Sequence, residues 1–300
     1  MKPDRTLAAA LAEEVLVLDG GLSNQLEAQG CDLSDALWSA RLLADAPEQI
    51  EAAHAAYARA GAQVLITSSY QATFEGFARR GTDRAEAARL LARSVELART
   101  AGERSDREIW VAASVGPYGA MLADGSEYRG RYGLSVAELE RFHRPRVEVL
   151  AEAAPDVLAL ETVPDADEAE GLLRAVAGCG VPVWLSYTVD GPHTRAGQRL
   201  EDAFGLAAGV DQVVAVGVNC CDPADAGPAA EIAAAVTGKP VVVYPNSGEQ
   251  WDAAARGWHG GTTFAPTTTT TWRTAGARLI GGCCRVGPDA IAALAGTLKA

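Results

Sequence analysis

The feature that most constrains this chain is a repeat: a short Val/Ile/Leu-rich run, a polar or glycine-containing turn, then a longer Ala/Leu/Glu/Arg-rich stretch of helical character. The apolar runs fall near 15–18, 63–67, 109–115, 157–160, 182–187, 213–218, 240–244 and 277–280. Continuous apolar runs of this length suit parallel strands buried on both faces, and the stretches between them suit crossover helices. Eight such units in 300 residues, with no Pro/Ser-rich linker among them, predict an α/β fold: one (β/α)8 TIM barrel, a single domain over 1–300. The helices carry their own signals. Pro47 opens one that runs through Ile50, His54 and Tyr57 to Gly61, and Asp83-Arg84 opens another with Leu90, Leu91, Val95 and Leu97 as apolar positions.

A formal net charge of -13 argues against nucleic acid as a partner, because phosphate binding needs clustered Lys and Arg. The first apolar run is interrupted by Glu13 and Glu14, too early for a signal peptide, and no stretch approaches the ~20 apolar residues of a membrane span. A cytoplasmic protein with no membrane partner is therefore expected; the oligomeric state is not legible. Six cysteines, four of them in the adjacent pairs Cys220-Cys221 and Cys283-Cys284, do not resemble a secreted disulfide framework, and reduced thiols available to a metal fit better.

Barrel enzymes place their chemistry at the C-terminal ends of the strands. In this chain those ends carry Asp19-Gly20-Gly21, Thr67-Ser68-Ser69-Tyr70, Ser114, Glu161-Thr162, Ser186-Tyr187, Asn219-Cys220, Tyr244-Pro245-Asn246-Ser247 and Gly282-Cys283-Cys284. Cys220, Cys283 and Cys284 can thus meet at one rim, and three thiolates with a fourth position open have the ligand count of a catalytic Zn2+ site. Asp19 and Glu161 could fix an ammonium group while the Gly20 and Gly21 amides receive a carboxylate, which together would grip an α-amino acid. Used instead as a glycosidase-like acid/base pair, the two carboxylates would leave the cysteines idle. Two long excursions, Gly116–Gly133 and Gln250–Thr271, are expected to serve the same rim.

Other candidates read as structural. Cys31 and Cys179 fit core packing, and Cys221 should face away from its neighbour Cys220. His54 and His143 lie on predicted helices as surface or packing residues. No His-based metal motif, Ser-His-Asp order or dinucleotide fingerprint stands out.

The motifs Leu18-Asp19-Gly20-Gly21, Gly217-Val218-Asn219-Cys220 and Gly281-Gly282-Cys283-Cys284-Arg285 resemble those of the homocysteine S-methyltransferase family. Thr67–Ala72, Leu160–Pro164 and Tyr244–Glu249 extend the likeness over nearly the whole chain. The stretches Gly30–Trp38 and Tyr244–Glu249 look most like the branch that uses S-methylmethionine or S-adenosylmethionine; betaine- and folate-using branches share the cysteines. The resemblance implies a zinc barrel in which Cys220, Cys283 and Cys284 hold the metal and activate the thiol of L-homocysteine toward a sulfonium methyl donor. Asp19, Gly20, Gly21, Glu161, Asn219 and Ser68 would serve substrate binding. Trp38 and Tyr70, with Tyr187 less central, would stack against the sulfonium. A betaine-dependent or selenocysteine methyltransferase of the same family and a non-catalytic zinc-binding barrel are the competing functions, with a zinc-free hydrolase on Asp19 and Glu161 a further one.

Overall fold

The computed structural model describes residues 3–35, 37–252 and 257–299. Eight parallel strands occupy the predicted runs: β1 (Leu16–Val17), β2 (Val64–Ile66), β3 (Trp110–Val115), β4 (Val157–Val163), β5 (Val183–Tyr187), β6 (Val213–Asn219), β7 (Val241–Tyr244) and β8 (Ala277–Ile280). Each pairs with its sequence neighbour, β8 pairs with β1, and a parallel bridge from Leu18 to Val64 joins β1 to β2, so the sheet closes on itself. The result is a (β/α)8 barrel.

Alternation along the strands builds two separate cores. Leu16, Trp110, Ala159, Trp184, Val242 and Leu279 point into the barrel, whereas Val17, Val111, Leu158, Val216, Val243 and Ile280 pack outward against the helices. The helix Leu7–Glu13 had drawn attention only as a non-signal segment. Its Leu7, Ala10 and Leu11 belong to the interior cluster with Trp110, so it plugs the N-terminal end of the barrel.

Caps set the outer helices. Pro47–Ala60 ends at Gly61, whose φ of 114° is open to glycine, and Arg84–Glu103 begins under the Asp83 side chain, which accepts from the Glu86 amide. Ser135 and Glu138 form a reciprocal capping box on Val136–Glu152. The later excursion contains a hairpin, Gln250–Asp252 with Gly257–His259, and leads into a helix, Thr269–Thr274. The side chains of Trp251 and Trp258 lie outside those described.

Candidate active site

At the end of β6 the chain turns sharply at Cys220, whose φ of 48° lies in the left-handed region, and a similar turn occurs at Thr162 after Glu161 on β4. Such conformations in non-glycine residues persist only where surrounding bonds over-determine them. Asn219 supplies those bonds. Its Oδ1 accepts from the Thr162 amide at 2.7 Å and from Ser186 Oγ at 2.9 Å, and its Nδ2 donates to Thr162 Oγ1 at 2.7 Å. The Asn219 amide is therefore engaged in shaping the rim, where substrate binding was the implied role.

The glycines before Cys283 permit close approach. A Cβ on Gly281 would stand 2.5 Å from Leu18 Cβ, one on Gly282 would collide with Val286, and the Gly282 amide donates to the Asp19 carbonyl at 3.1 Å. From the other side, the loop after β7 fixes the turn: Cys283 N donates to Pro245 O at 2.7 Å, Ser247 N to Cys284 O at 2.9 Å, and Cys284 N to Asn246 Oδ1 at 3.2 Å. Arg285 pairs with Glu249 at 3.0 and 3.1 Å just outside.

These constraints bring the three predicted sulfurs together, all within 4.8 Å of one another, with Cys283 and Cys284 Sγ 4.0 Å apart. The Cys220 and Cys283 sulfurs are in direct contact. Burial pushes the Cys284 thiol up to about 11, and Glu127 and Glu161 push in the same direction. A zinc ion would reverse that balance, because a coordinating thiol is deprotonated outright. With Cys220 and Cys283 reduced, three converging sulfurs with a fourth side open suit such an ion.

Beside the sulfurs stand the two carboxylates. Asp19 is fully buried; Oδ2 accepts from the Ile66 amide at 2.8 Å, Oδ1 has no partner, and burial drives its pKa well above the usual range. Glu161 accepts from Ser114 Oγ and, at 3.0 Å, from the Tyr244 hydroxyl. Burial lifts Glu161 to about 7 against those two bonds, and its charge raises Asp19 further. An orphan carboxylate oxygen at this depth is what a substrate ammonium would satisfy. Ser68 Oγ is likewise buried without a partner.

Some expectations need correction. The Gly21 amide donates to Val286 O at 2.9 Å and is not free for a carboxylate; Gly20 and Gly21 are small because Val286, Tyr57 and Cys283 crowd them. Tyr187 faces the helices, with its hydroxyl on Ala203 O at 2.9 Å, and so cannot line the rim. Trp38 is 36% exposed on the short helix Trp38–Arg41, with no hydrogen bond or ring contact to the cysteines among the described residues. Tyr70 packs against Gly116, near Glu161 and Thr162. Of the two alternatives for His54 and His143, packing holds, since both are fully buried. Cys221 packs into the outer core, as alternation required, and Cys31 and Cys179 pack against its edge.

Two residues of the first excursion were missed. The Tyr128 hydroxyl lies against Cys284, although the ring is 37% exposed, and the neighbouring Glu127 keeps a buried, unpartnered oxygen. Only the unusual length of the excursion pointed toward them.

A family model described as homocysteine S-methyltransferase matches residues 16–298. The chain is 47% identical to a homocysteine S-methyltransferase of Escherichia coli (strain K12), covering 98% of this chain and 99% of the relative. It is 43% identical to homocysteine S-methyltransferase YbgG of Bacillus subtilis (strain 168), covering 95% and 96%. The metallated crystal form of the homocysteine methyltransferase MmuM from Escherichia coli superposes with a TM-score of 0.86 at 45% identity, over 96% of this chain and 98% of that one.

Proposed function

The chain belongs to the homocysteine S-methyltransferase family, and from that premise we propose that it moves a methyl group from a sulfonium donor to the thiol of L-homocysteine, giving methionine. S-methylmethionine is the favoured donor and S-adenosylmethionine the second. The observation that carries this reading is the convergence of Cys220, Cys283 and Cys284 beside an unpartnered Asp19 oxygen and the buried Glu161.

Cys220, Cys283 and Cys284 would hold Zn2+. When bound there, the ion supplies Lewis acidity that favours the thiolate form of a sulfur in its open position. Asp19 and Glu161 orient the homocysteine ammonium and so aim its sulfur at the donor methyl. Asn219, bonded to both strand ends, keeps Cys220 and Glu161 in register. Tyr70 offers a ring face to the sulfonium, an attraction worth ~1–2 kcal/mol once desolvated. Transfer is a direct displacement: the homocysteine sulfur forms the new S–C bond as the donor S–C bond breaks, and the electron pair of the broken bond stays on the donor sulfur. The thiol proton passes to solvent water before transfer. Positioning supplies much of the acceleration, since two oriented sulfurs react as one molecule.

The test is zinc content per chain after purification under reducing conditions, then methionine formation with S-methylmethionine, S-adenosylmethionine and betaine in parallel. One zinc and methionine from a sulfonium donor support the proposal. Turnover only with betaine moves the chain to another branch. Zinc without turnover from any of the three favours a non-catalytic zinc-binding barrel, and reduced protein that takes up no zinc removes the metal from the reading.

A further inference from the structure

Behind the mouth of the barrel lies a buried polar cluster that the methyl-transfer reading does not use. His143 and Arg146 stand on the helix Val136–Glu152 and Glu168 on Ala166–Val176, all three fully buried. His143 Nε2 is 2.9 Å from Glu168 Oε1, and Arg146 Nη2 is 2.6 Å from His143 Nδ1. One tautomer satisfies both contacts: neutral imidazole with its proton on Nε2, donating to Glu168 and accepting from Arg146. Burial and the Arg146 charge both hold His143 neutral, while Arg146 is lowered only to about 10 and stays charged. An acid and a base are thus linked through one imidazole, with Tyr132, Asp165, Glu75 and Tyr70 the other ionisable groups nearby.

Each end of this chain of bonds grips the Gly116–Gly133 excursion. Glu168 Oε1 also accepts from the Tyr118 amide at 2.6 Å, and Arg146 also donates to the Gly116 carbonyl. Tyr118 packs edge-on against Phe142 at 4.8 Å, and the Arg146 guanidinium lies over the Phe142 ring 5.3 Å from its centroid. The far end of the excursion is held by the same short segment, where Asp165 Oδ2 accepts from the Arg131 amide at 3.0 Å. Between these pins the excursion carries Tyr128 to Cys284 and sets Gly116 on the Tyr70 ring.

We propose that His143, Arg146 and Glu168 are positioning residues, a buried hydrogen-bonded strut that holds the Gly116–Gly133 excursion over the cysteine cluster and so shapes the donor side of the site. The proposal rests on the methyltransferase reading for the word donor alone. Homocysteine is gripped from β1 and β4 by Asp19 and Glu161, outside the excursion, so loosening the strut acts on one substrate more than the other.

Removing a single partner strands a buried charge and risks unfolding the barrel. The variant to make is therefore the double substitution Arg146→Met with Glu168→Leu, which removes both charges. Hydrogen exchange is expected to rise within 116–133 while the barrel strands keep their protection and zinc uptake is retained. Donor kcat/KM should fall about tenfold to a hundredfold, with KM for homocysteine unchanged. His143→Gln, whose amide can donate to Glu168 and accept from Arg146, should keep the excursion protected, whereas His143→Leu should not. Unchanged exchange in 116–133 in the double variant, or loosening spread evenly over the barrel, overturns the strut. Equal losses for both substrates overturn its donor-side role. Wild-type protein that binds zinc yet transfers no methyl group sinks the functional reading, and the exchange result still decides the strut.

Discussion

The two ends of the barrel are built on opposite terms. At the N-terminal end Leu7, Ala10 and Leu11 close over Trp110 and Leu16, an apolar plug. At the C-terminal end Asp19, Ser68 and Glu127 each keep a buried oxygen without a partner, Glu161 sits near 7, and residues turn through left-handed φ at Thr162 and Cys220. Unsatisfied polar groups and backbone strain cost stability, and they collect where a ligand can satisfy them. One end holds the barrel together, and the other spends that stability on chemistry.

That contrast breaks most visibly at Cys283. Cys283→Ala is expected to abolish zinc retention and methyl transfer together while circular dichroism reports an intact barrel; full turnover in the metal-free variant would end the assignment. At the opposite end, Leu11→Ala should cost about 2–5 kcal/mol in urea unfolding, with turnover per folded molecule unchanged. If activity fell instead, the plug would be coupled to the rim.

Glu161→Gln sharpens the comparison within the rim. Loss of one charge-assisted contact of about 1.5–3 kcal/mol should raise KM for homocysteine roughly 10- to 100-fold with zinc still bound. Zinc loss in this variant would place Glu161 in the metal site rather than the substrate grip. The smallest effect is on pH. Glu161 is raised above its unfolded value, so the folded chain holds the extra proton; this contribution is fully present below the unfolded carboxylate value and is lost as pH rises through about 7. Between pH 6 and 7 the wild type should lose on the order of 1 kcal/mol more than Glu161→Gln, while homocysteine binding, which needs the carboxylate charged, strengthens over the same interval. Parallel slopes in the two proteins would mean that Glu161 is already ionised.

Residues that act through their neighbours in the chain were legible beforehand. The eight strand runs, the caps at Pro47, Gly61 and Asp83, and the cysteines at two strand ends all follow from local pattern and the side-chain alternation of a strand. Residues that act through distant partners were not. Nothing near Tyr128 announces that its hydroxyl meets Cys284, and His143 looked like an ordinary helix residue because Glu168 and Gly116, which give it meaning, stand on other elements. Tyr187 misled for the converse reason, since an aromatic at a strand end points inward or outward according to register.

By itself the sequence determined the barrel, its strand order and the rim on which three thiols and two carboxylates would gather, because periodicity and strand-end position are properties of consecutive residues. The tertiary structure alone decided that Gly21 is a packing glycine with its amide already engaged, that Asn219 braces two strand ends, and that a buried hydrogen-bonded cluster pins the first excursion. Those outcomes depend on which groups remain unpaired after every strand and helix has closed, a balance that exists only once the whole chain is folded.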